Sequence, residues 1–392
     1  MNEIENSRSR KRPRLSWDSV QPEAKISRGR PSPPWREDDR DGHYVFHLGE
    51  NLTPRYKIIS KMGEGTFGRV LECWDREKHQ LVAIKVVRSI KKYRQAAKME
   101  IDVLNELAEN DQGKSHCLQI QSWFDYRNHI CIVCEKLGPS LFDILRRNRY
   151  YPFPVNLVRD FGRQLLESLA YMHELRLIHT DLKPENILLV SSDIVEVPCH
   201  KRISNRTSNN NEHYRVLPKS SAIKLIDFGS TAYENQDRSS IVSTRHYRAP
   251  EIILGLGWNY PCDLWSVGCI LVELSTGRTL FQTHENLEHL AMMESVLGQI
   301  PEHMIQKVKS SSTLKYFKRG AKLNWPEGAT SRESISAVRK LDSLKELIYR
   351  NTEYSRSSLS DLLRSLLRYD PNERLTADEA LNHPFFSNPS PV

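Results

Sequence analysis

The sequence holds no run of 18 apolar residues, which excludes a bilayer-spanning helix. Its first 30 residues lack the apolar core of a secretory signal, so export is not expected. Cysteine is scarce and odd in number, seven in 392 residues, which argues against a disulfide framework and for reduced thiols in the cytosol or nucleus. A dominant charge is missing as well: 57 Lys and Arg face 49 Asp and Glu, and a surplus of +8 over 392 residues is diffuse. No internal repeat is present. What remains is an ordinary globular balance, 39% apolar and 27% charged, long enough for two or three domain-sized units.

Residues 1–45 have no hydrophobic period and are rich in Ser, Arg, Pro and Asp, so they read as a disordered arm. Arg30-Pro31-Ser32-Pro33-Pro34 cannot continue a helix or a ladder. Arg8, Arg10, Lys11, Arg12 and Arg14 form a basic cluster of the nuclear-import type. Residues 1–42 carry 10 basic and 8 acidic side chains, too mixed a balance for nucleic-acid binding by the arm alone.

Strand-type segments at 56–62, 69–74, 81–87 and 130–134 come first, with one helical stretch at 93–109 whose Ala96, Glu100, Leu104 and Leu107 fall near one face. Helical spacing then dominates at 155–175, 262–276, 286–297 and 358–367. Strands first and helices after give an α+β class with a cleft between two units. Residues 191–220, rich in Asn, Ser and Lys, interrupt the pattern as a long mobile loop.

Five motifs carry chemistry. Gly63-Glu64-Gly65-Thr66-Phe67-Gly68, followed by Val70, lets backbone N–H groups approach phosphate oxygens. The same spacing opens dinucleotide folds, but there a helix follows; here a second strand does, so the loop is a hairpin lid. In Val82-Ala83-Ile84-Lys85, alternation puts a small residue and an ammonium on one strand face, and Glu100 stands fifteen residues on to pair with Lys85. His179-Thr180-Asp181-Leu182-Lys183-Pro184-Glu185-Asn186 gathers a carboxylate, an ammonium and an amide in one loop, the groups phosphoryl transfer needs. Asp227-Phe228-Gly229 supplies a second hard oxygen for Mg²⁺. Ala249-Pro250-Glu251 is the fifth, and all five stand in order.

From Tyr56 to Phe386 the chain resembles the eukaryotic protein kinases. Ser243-Thr244-Arg245-His246-Tyr247-Arg248-Ala249-Pro250-Glu251 resembles the group that holds cyclin-dependent, MAP and CDC-like kinases, and Glu288-His289-Leu290-Ala291-Met292-Met293-Glu294 resembles the signature of the LAMMER, or CDC-like, family. Asp41-Gly42-His43-Tyr44 and Asn51-Leu52-Thr53-Pro54-Arg55-Tyr56 look most like its plant members.

The resemblance implies a two-lobed fold, with an N-lobe at 56–137 of antiparallel sheet plus one main helix and a mostly helical C-lobe at 138–386. It implies ATP and Mg²⁺ as cofactors, transfer to Ser and Thr with tyrosine autophosphorylation, arginine/serine-rich splicing factors as protein partners, and a nuclear location. By matching motif, Asp181 would be the base and Lys183 the γ-phosphate contact. Asn186 and Asp227 would hold Mg²⁺. Lys85, paired to Glu100, would meet the α- and β-phosphates under a lid running Met62, Gly63, Glu64, Gly65, Thr66, Phe67, Gly68, Arg69 and Val70. Val70, Ala83 and Leu188 would enclose adenine beside the hinge residues Glu135 and Leu137. Glu251 would pair with Arg374, and Asp263 would anchor the catalytic loop. A pseudokinase scaffold is the competing reading; the complete set Lys85, Asp181, Asn186 and Asp227 speaks against it.

Three positions depart from the kinase pattern. Thr180 replaces the usual Arg, so no charge-assisted bond to a loop phosphate is available and activity should not require one. Ser295 ends the LAMMER signature where Arg is usual, and Cys134 precedes the hinge where Phe is usual, opening the pocket behind adenine. Cys131 and Cys134 have CxxC spacing, but on a strand they face opposite ways, which disfavours a metal pair. Met292 and Met293 read as helix packing.

Overall fold

The computed structural model describes residues 35–113, 115–199, 213–234, 241–319, 321–352 and 355–387. The basic cluster at 8–14 lies outside them. The N-lobe is a five-stranded antiparallel sheet of β1 (Tyr56–Gly65), β2 (Gly68–Asp75), β3 (Gln80–Val87), β4 (Ile120–Tyr126) and β5 (His129–Glu135), in the order β1-β2-β3-β5-β4, backed by α1 (Lys91–Asn110). Alternation in β3 buries Val82, Ile84 and Val86 and leaves Ala83 and Lys85 half-buried on the other face. Helix α1 buries Ala97, Glu100, Ile101, Leu104 and Leu107, a 3.6-residue stripe. Ala97, not Ala96, is therefore the small residue on that face. Strand β4 has no clean sequence alternation, because it is an edge strand whose residues are nearly all half-buried.

Part of the expected arm is folded. Residues 1–34 lie outside the described residues, but 36–52 lie on the N-lobe, with Tyr44 and Leu52 buried among Tyr56, Ile58 and Leu71. Apolar Tyr44 and Leu52 are too widely spaced to announce a period, which is why composition alone hid them. The CxxC pair divides as alternation requires: Cys131 packs with Tyr44 and Val133, while Cys134 belongs to the larger core.

The C-lobe is built on α2 (Leu141–Arg147), α3 (Val155–Glu174), α4 (Pro250–Leu254), α5 (Pro261–Thr276) and α6 (Asn286–Leu297), with short two-stranded pairings of β6 (Leu177–Ile178) to β11 (Ala232–Tyr233) and β7 (Ile187–Leu189) to β10 (Ile223–Leu225). Helix α5 is buried all round from Cys262 to Thr276, the pattern of a central core helix. The expected loop at 191–220 is instead partly a hairpin, β8 (Ile194–Cys199) on β9 (His213–Pro218), docked by Asn148, whose side chain bonds both Val216 O and Val216 N at 2.8 Å. Its middle, 200–212, lies outside the described residues.

The LAMMER segment is α6. Met292 and Met293 are core, and Glu288 accepts bonds from Thr283 Oγ1 at 2.7 Å, His284 N at 3.1 Å and Ser334 Oγ at 2.6 Å. Ser295 donates to Val338 O at 3.3 Å. The signature thus fastens α6 to the helix Arg332–Arg339.

Candidate active site

The catalytic loop is held from beneath. Asp263, buried on α5, accepts the backbone N–H of His179 and of Thr180, each at 2.9 Å. The His179 ring contacts Ile226 O at 3.0 Å. Thr180 sits at φ 68°, and its hydroxyl donates to Ser230 O at 2.8 Å. These bonds fix a strained turn that projects Asp181 upward.

Both Asp181 carboxylate oxygens accept hydrogen bonds, and Oδ2 accepts only one among the described residues. Lys183 Nζ reaches Oδ2 at 2.6 Å, and Thr244 gives its N–H at 2.9 Å and its hydroxyl at 2.6 Å to Oδ1. Burial raises the Asp181 pKa, but the bonds from Lys183 and Thr244 outweigh it and leave the carboxyl below its ordinary value. Asn186 donates its amide to Asp181 O at 2.9 Å, which leaves its side-chain oxygen for a cation.

Above this loop lies a second cluster. Lys85 Nζ meets both Glu100 oxygens, at 2.7 and 2.9 Å, and Asp227 Oδ1 at 3.4 Å. Desolvation works against the ammonium, but Glu100 and Asp227 prevail and hold its pKa above the ordinary lysine value. Asp227 takes the left-handed conformation, φ 66°, and Phe228 behind it is buried against the His179 ring at 5.6 Å. The two clusters are joined through Ile226, next to Asp227: its N–H donates to Asn186 O at 2.9 Å and its carbonyl meets the His179 ring at 3.0 Å.

The remaining expected residues fall as follows. Met62, Glu64, Gly65, Thr66 and Phe67 are exposed or half-exposed along the β1–β2 hairpin, with Gly63 opposite Val70. Leu188 alternates outward between buried Ile187 and Leu189, and Val70 pairs with Lys85 across the sheet. Leu137 is buried, and Glu135 turns its carboxylate to Lys224 and to Gln119 N. Arg69 pairs with Glu64 in the hairpin, and its guanidinium is bound to Glu64, Asp39 and Tyr44 O. Cys134 is buried beside Ala83, and burial pushes its thiol up to about 12.

The residues fit a magnesium nucleotide. A Cβ at Gly63 or Gly65 would meet no atom within 4 Å, so the lid leaves room for a ligand against bare backbone. Among the described residues no three His, Cys, Asp or Glu side chains converge as an all-protein metal cage. One carboxylate and one amide oxygen suit Mg²⁺, which completes its shell with phosphates and water. Sequence reading missed Thr244, whose contact with Asp181 crosses 63 residues, and Glu185, which stands exposed inside a motif already noted.

Comparison with known proteins agrees with this geometry. The protein kinase domain model matches residues 56–386. Serine/threonine-protein kinase AFC3 of Arabidopsis thaliana is 64% identical over 99% of this chain and 98% of its own length. The human dual specificity protein kinase CLK2 is 46% identical over 90% of this chain and 68% of its own length. The crystal structure of the PF14_0431 kinase domain superposes with a TM-score of 0.80 at 39% identity, covering 89% of this chain and all of that one. An ordered lid, ion-paired lysine and catalytic loop on a two-lobed frame, carried by a sequence this close to those relatives, make the chain a protein kinase of the LAMMER, or CDC-like, family.

Proposed function

We propose that this kinase transfers the γ-phosphoryl group of magnesium-bound ATP to serine and threonine of arginine/serine-rich splicing factors in the nucleus, and modifies its own tyrosines. The observation that carries the chemistry is the pair of clusters, Lys85 with Glu100 and Asp227, and Asp181 with Lys183 and Asn186, joined by the bond from Ile226 N to Asn186 O. Bound ATP supplies the transferable phosphoryl, and Mg²⁺ offsets its charge. Lys85, fixed by Glu100, would hold the α- and β-phosphates, and Asn186 with Asp227 the metal. Asp181 is ionised and oriented by Thr244, so one carboxylate oxygen aligns a substrate hydroxyl and accepts its proton as the bond to oxygen forms. Lys183, bound to the same carboxylate, places a positive charge beside the moving phosphoryl.

Substrate class rests on charge. Glu185 is exposed on the catalytic loop, and no cation pairs with it among the described residues. Asp181 and Asp143 lie close enough to act on it, against the pull of Lys183, and their negative field favours an arriving guanidinium. Three carboxylates of α1 and the turn after it are engaged elsewhere: Glu100 with Lys85, Glu106 with Tyr233, and Asp111 with Ser115 and Gln119. Asp237 lies outside the described residues. Nuclear import follows from Arg8, Arg10, Lys11, Arg12 and Arg14; a reporter fused to residues 1–45 that stays cytoplasmic counts against it. The name of human CLK2 as a dual specificity kinase supports the tyrosine activity.

The test is transfer from ATP to an arginine/serine-repeat peptide against an acidic-site peptide. The repeat is the better substrate, and Asp181→Asn lowers turnover by roughly 10²–10⁴-fold. Preference for the acidic peptide removes the substrate assignment, and undiminished transfer by the variant removes the site.

A further inference from the structure

The tip of the glycine lid is a hairpin end with no core beneath it. Strand pairing stops at Gly65 opposite Gly68, and Thr66 and Phe67 project beyond. A free tip of this kind moves, and a nucleotide must then bear the ordering entropy. Here the tip is tethered on both edges.

Arg88, just past β3, donates its backbone N–H to Phe67 O at 3.0 Å and its guanidinium to Thr66 O at 3.1 Å. The same guanidinium donates to Asp41 O and lies over the Tyr93 ring at 4.8 Å, while the Phe67 ring meets Tyr93 edge-on at 5.6 Å. On the other edge, Arg69 of β2 reaches Glu64 at 3.0 Å, Asp39 at 2.9 Å and Tyr44 O at 2.9 Å.

Asp39, Asp41 and Tyr44 belong to the segment preceding β1, and that segment is itself fastened to the sheet. Asp38 meets the fully buried His129 ring at 2.9 Å, and Ser89 N donates to Gly42 O at 3.0 Å. Tyr44 is buried edge-on to the His129 ring at 5.4 Å and to Tyr126 at 6.2 Å. Both arginines thus connect the lid to a strap anchored on β5.

We propose that residues 36–52 form a clamp that pre-orders the glycine lid for nucleotide, with Arg88 and Asp39 as its positioning residues. The clamp rests on the nucleotide-binding reading above and extends the nucleotide-binding unit upstream of residue 56. It acts on ATP capture and leaves peptide capture alone, because none of its bonds reaches the catalytic loop.

The test uses the full chain and two variants, Arg88→Ala and Asp39→Asn. Hydrogen exchange across residues 63–68 is followed in the nucleotide-free protein, a fluorescent ATP analogue is titrated, and KM for ATP and for peptide are measured separately. In both variants lid exchange quickens and the analogue Kd and the ATP KM rise by about fivefold, the size of one or two lost hydrogen bonds. Peptide KM and kcat stay near wild type. Should Arg88→Ala fail to fold, Asp39→Asn decides, since it removes one charge and keeps the side-chain shape. Wild-type lid exchange and nucleotide affinity in both variants overturn the clamp. A folded wild-type protein that does not bind the analogue overturns the nucleotide reading beneath it instead.

Discussion

The catalytic loop and the glycine lid face each other across one cleft and are held in opposite ways. The loop is fixed by buried groups: Asp263, 1% exposed, takes two of its backbone donors, and the ring of His179 is closed off against Phe228. The lid is fixed by half-buried arginines reaching carbonyls and carboxylates at its edges. Buried bonds of this kind are costly to break and leave little freedom. Exposed ion pairs contribute about 1 kcal/mol or less each, which suits an element that must open to exchange a ligand. The difference teaches that the two halves of the site differ in mobility by construction: the platform sets geometry, and the lid sets access.

The largest effect belongs to the platform. Arg374 is buried against Glu251, with its two terminal guanidinium nitrogens on the carboxylate at 2.8 and 3.0 Å and further bonds to Pro261 O and Arg368 O. Arg374→Ala leaves Glu251 buried and unpaired, and denaturant unfolding should show a loss of about 3–5 kcal/mol. A loss below about 1 kcal/mol, the size of an exposed pair, would erase the contrast between platform and lid.

The contrast sharpens within the lid. Gly68 lies against β3, where an added Cβ would fall 2.3 Å from Val86 O and 2.9 Å from Val87 Cα. Gly68→Ala must push two strands apart, and about 1–3 kcal/mol of stability is lost. Gly65→Ala meets no atom within 4 Å, so stability is retained while the space against the lid backbone is filled. Thermal midpoints and ATP KM separate the two: the first variant unfolds early, and the second folds normally but binds nucleotide more weakly. Equal midpoints would mean that the edge of the hairpin against β3 is as free as the opposite edge.

Much of this was legible in sequence because local periodicity and motif order coincide. The alternation of Val82-Ala83-Ile84-Lys85 and the spacing to Glu100 lead directly to the observed pair. Long-range placement was not legible. Thr244 gives no local sign that it will bond Asp181, since the chain between them runs through two hairpin strands and β10. The strap was hidden for a different reason: its fold depends on single contacts, Asp38 with His129 and Tyr44 with the sheet, and not on a repeated apolar spacing. The hairpin within 191–220 was masked by the Asn- and Ser-rich composition of its middle.

The smallest effect is expected on removing phosphate from the 230–248 loop. A kinase with Arg at position 180 gathers its loop around a phosphate through a charge-assisted bond. Here Thr180 reaches Ser230 O through a neutral hydroxyl, at 2.8 Å. Arg248 meanwhile donates to Val242 O at 2.8 Å and Ser243 O at 2.7 Å, and holds Ser243 at φ 67°, the turn that presents Thr244 to Asp181. Tyr247 completes the anchorage through its hydroxyl on Glu273 at 2.7 Å and its carbonyl on Ser266 Oγ at 2.8 Å. Every one of these bonds is present with unmodified side chains, so a phosphatase-treated preparation should keep most of its rate. A preparation that falls to near-zero activity and recovers when the loop is phosphorylated would show that neutral bonds do not hold this half of the platform, and the contrast with the lid would then lie in charge and not in burial.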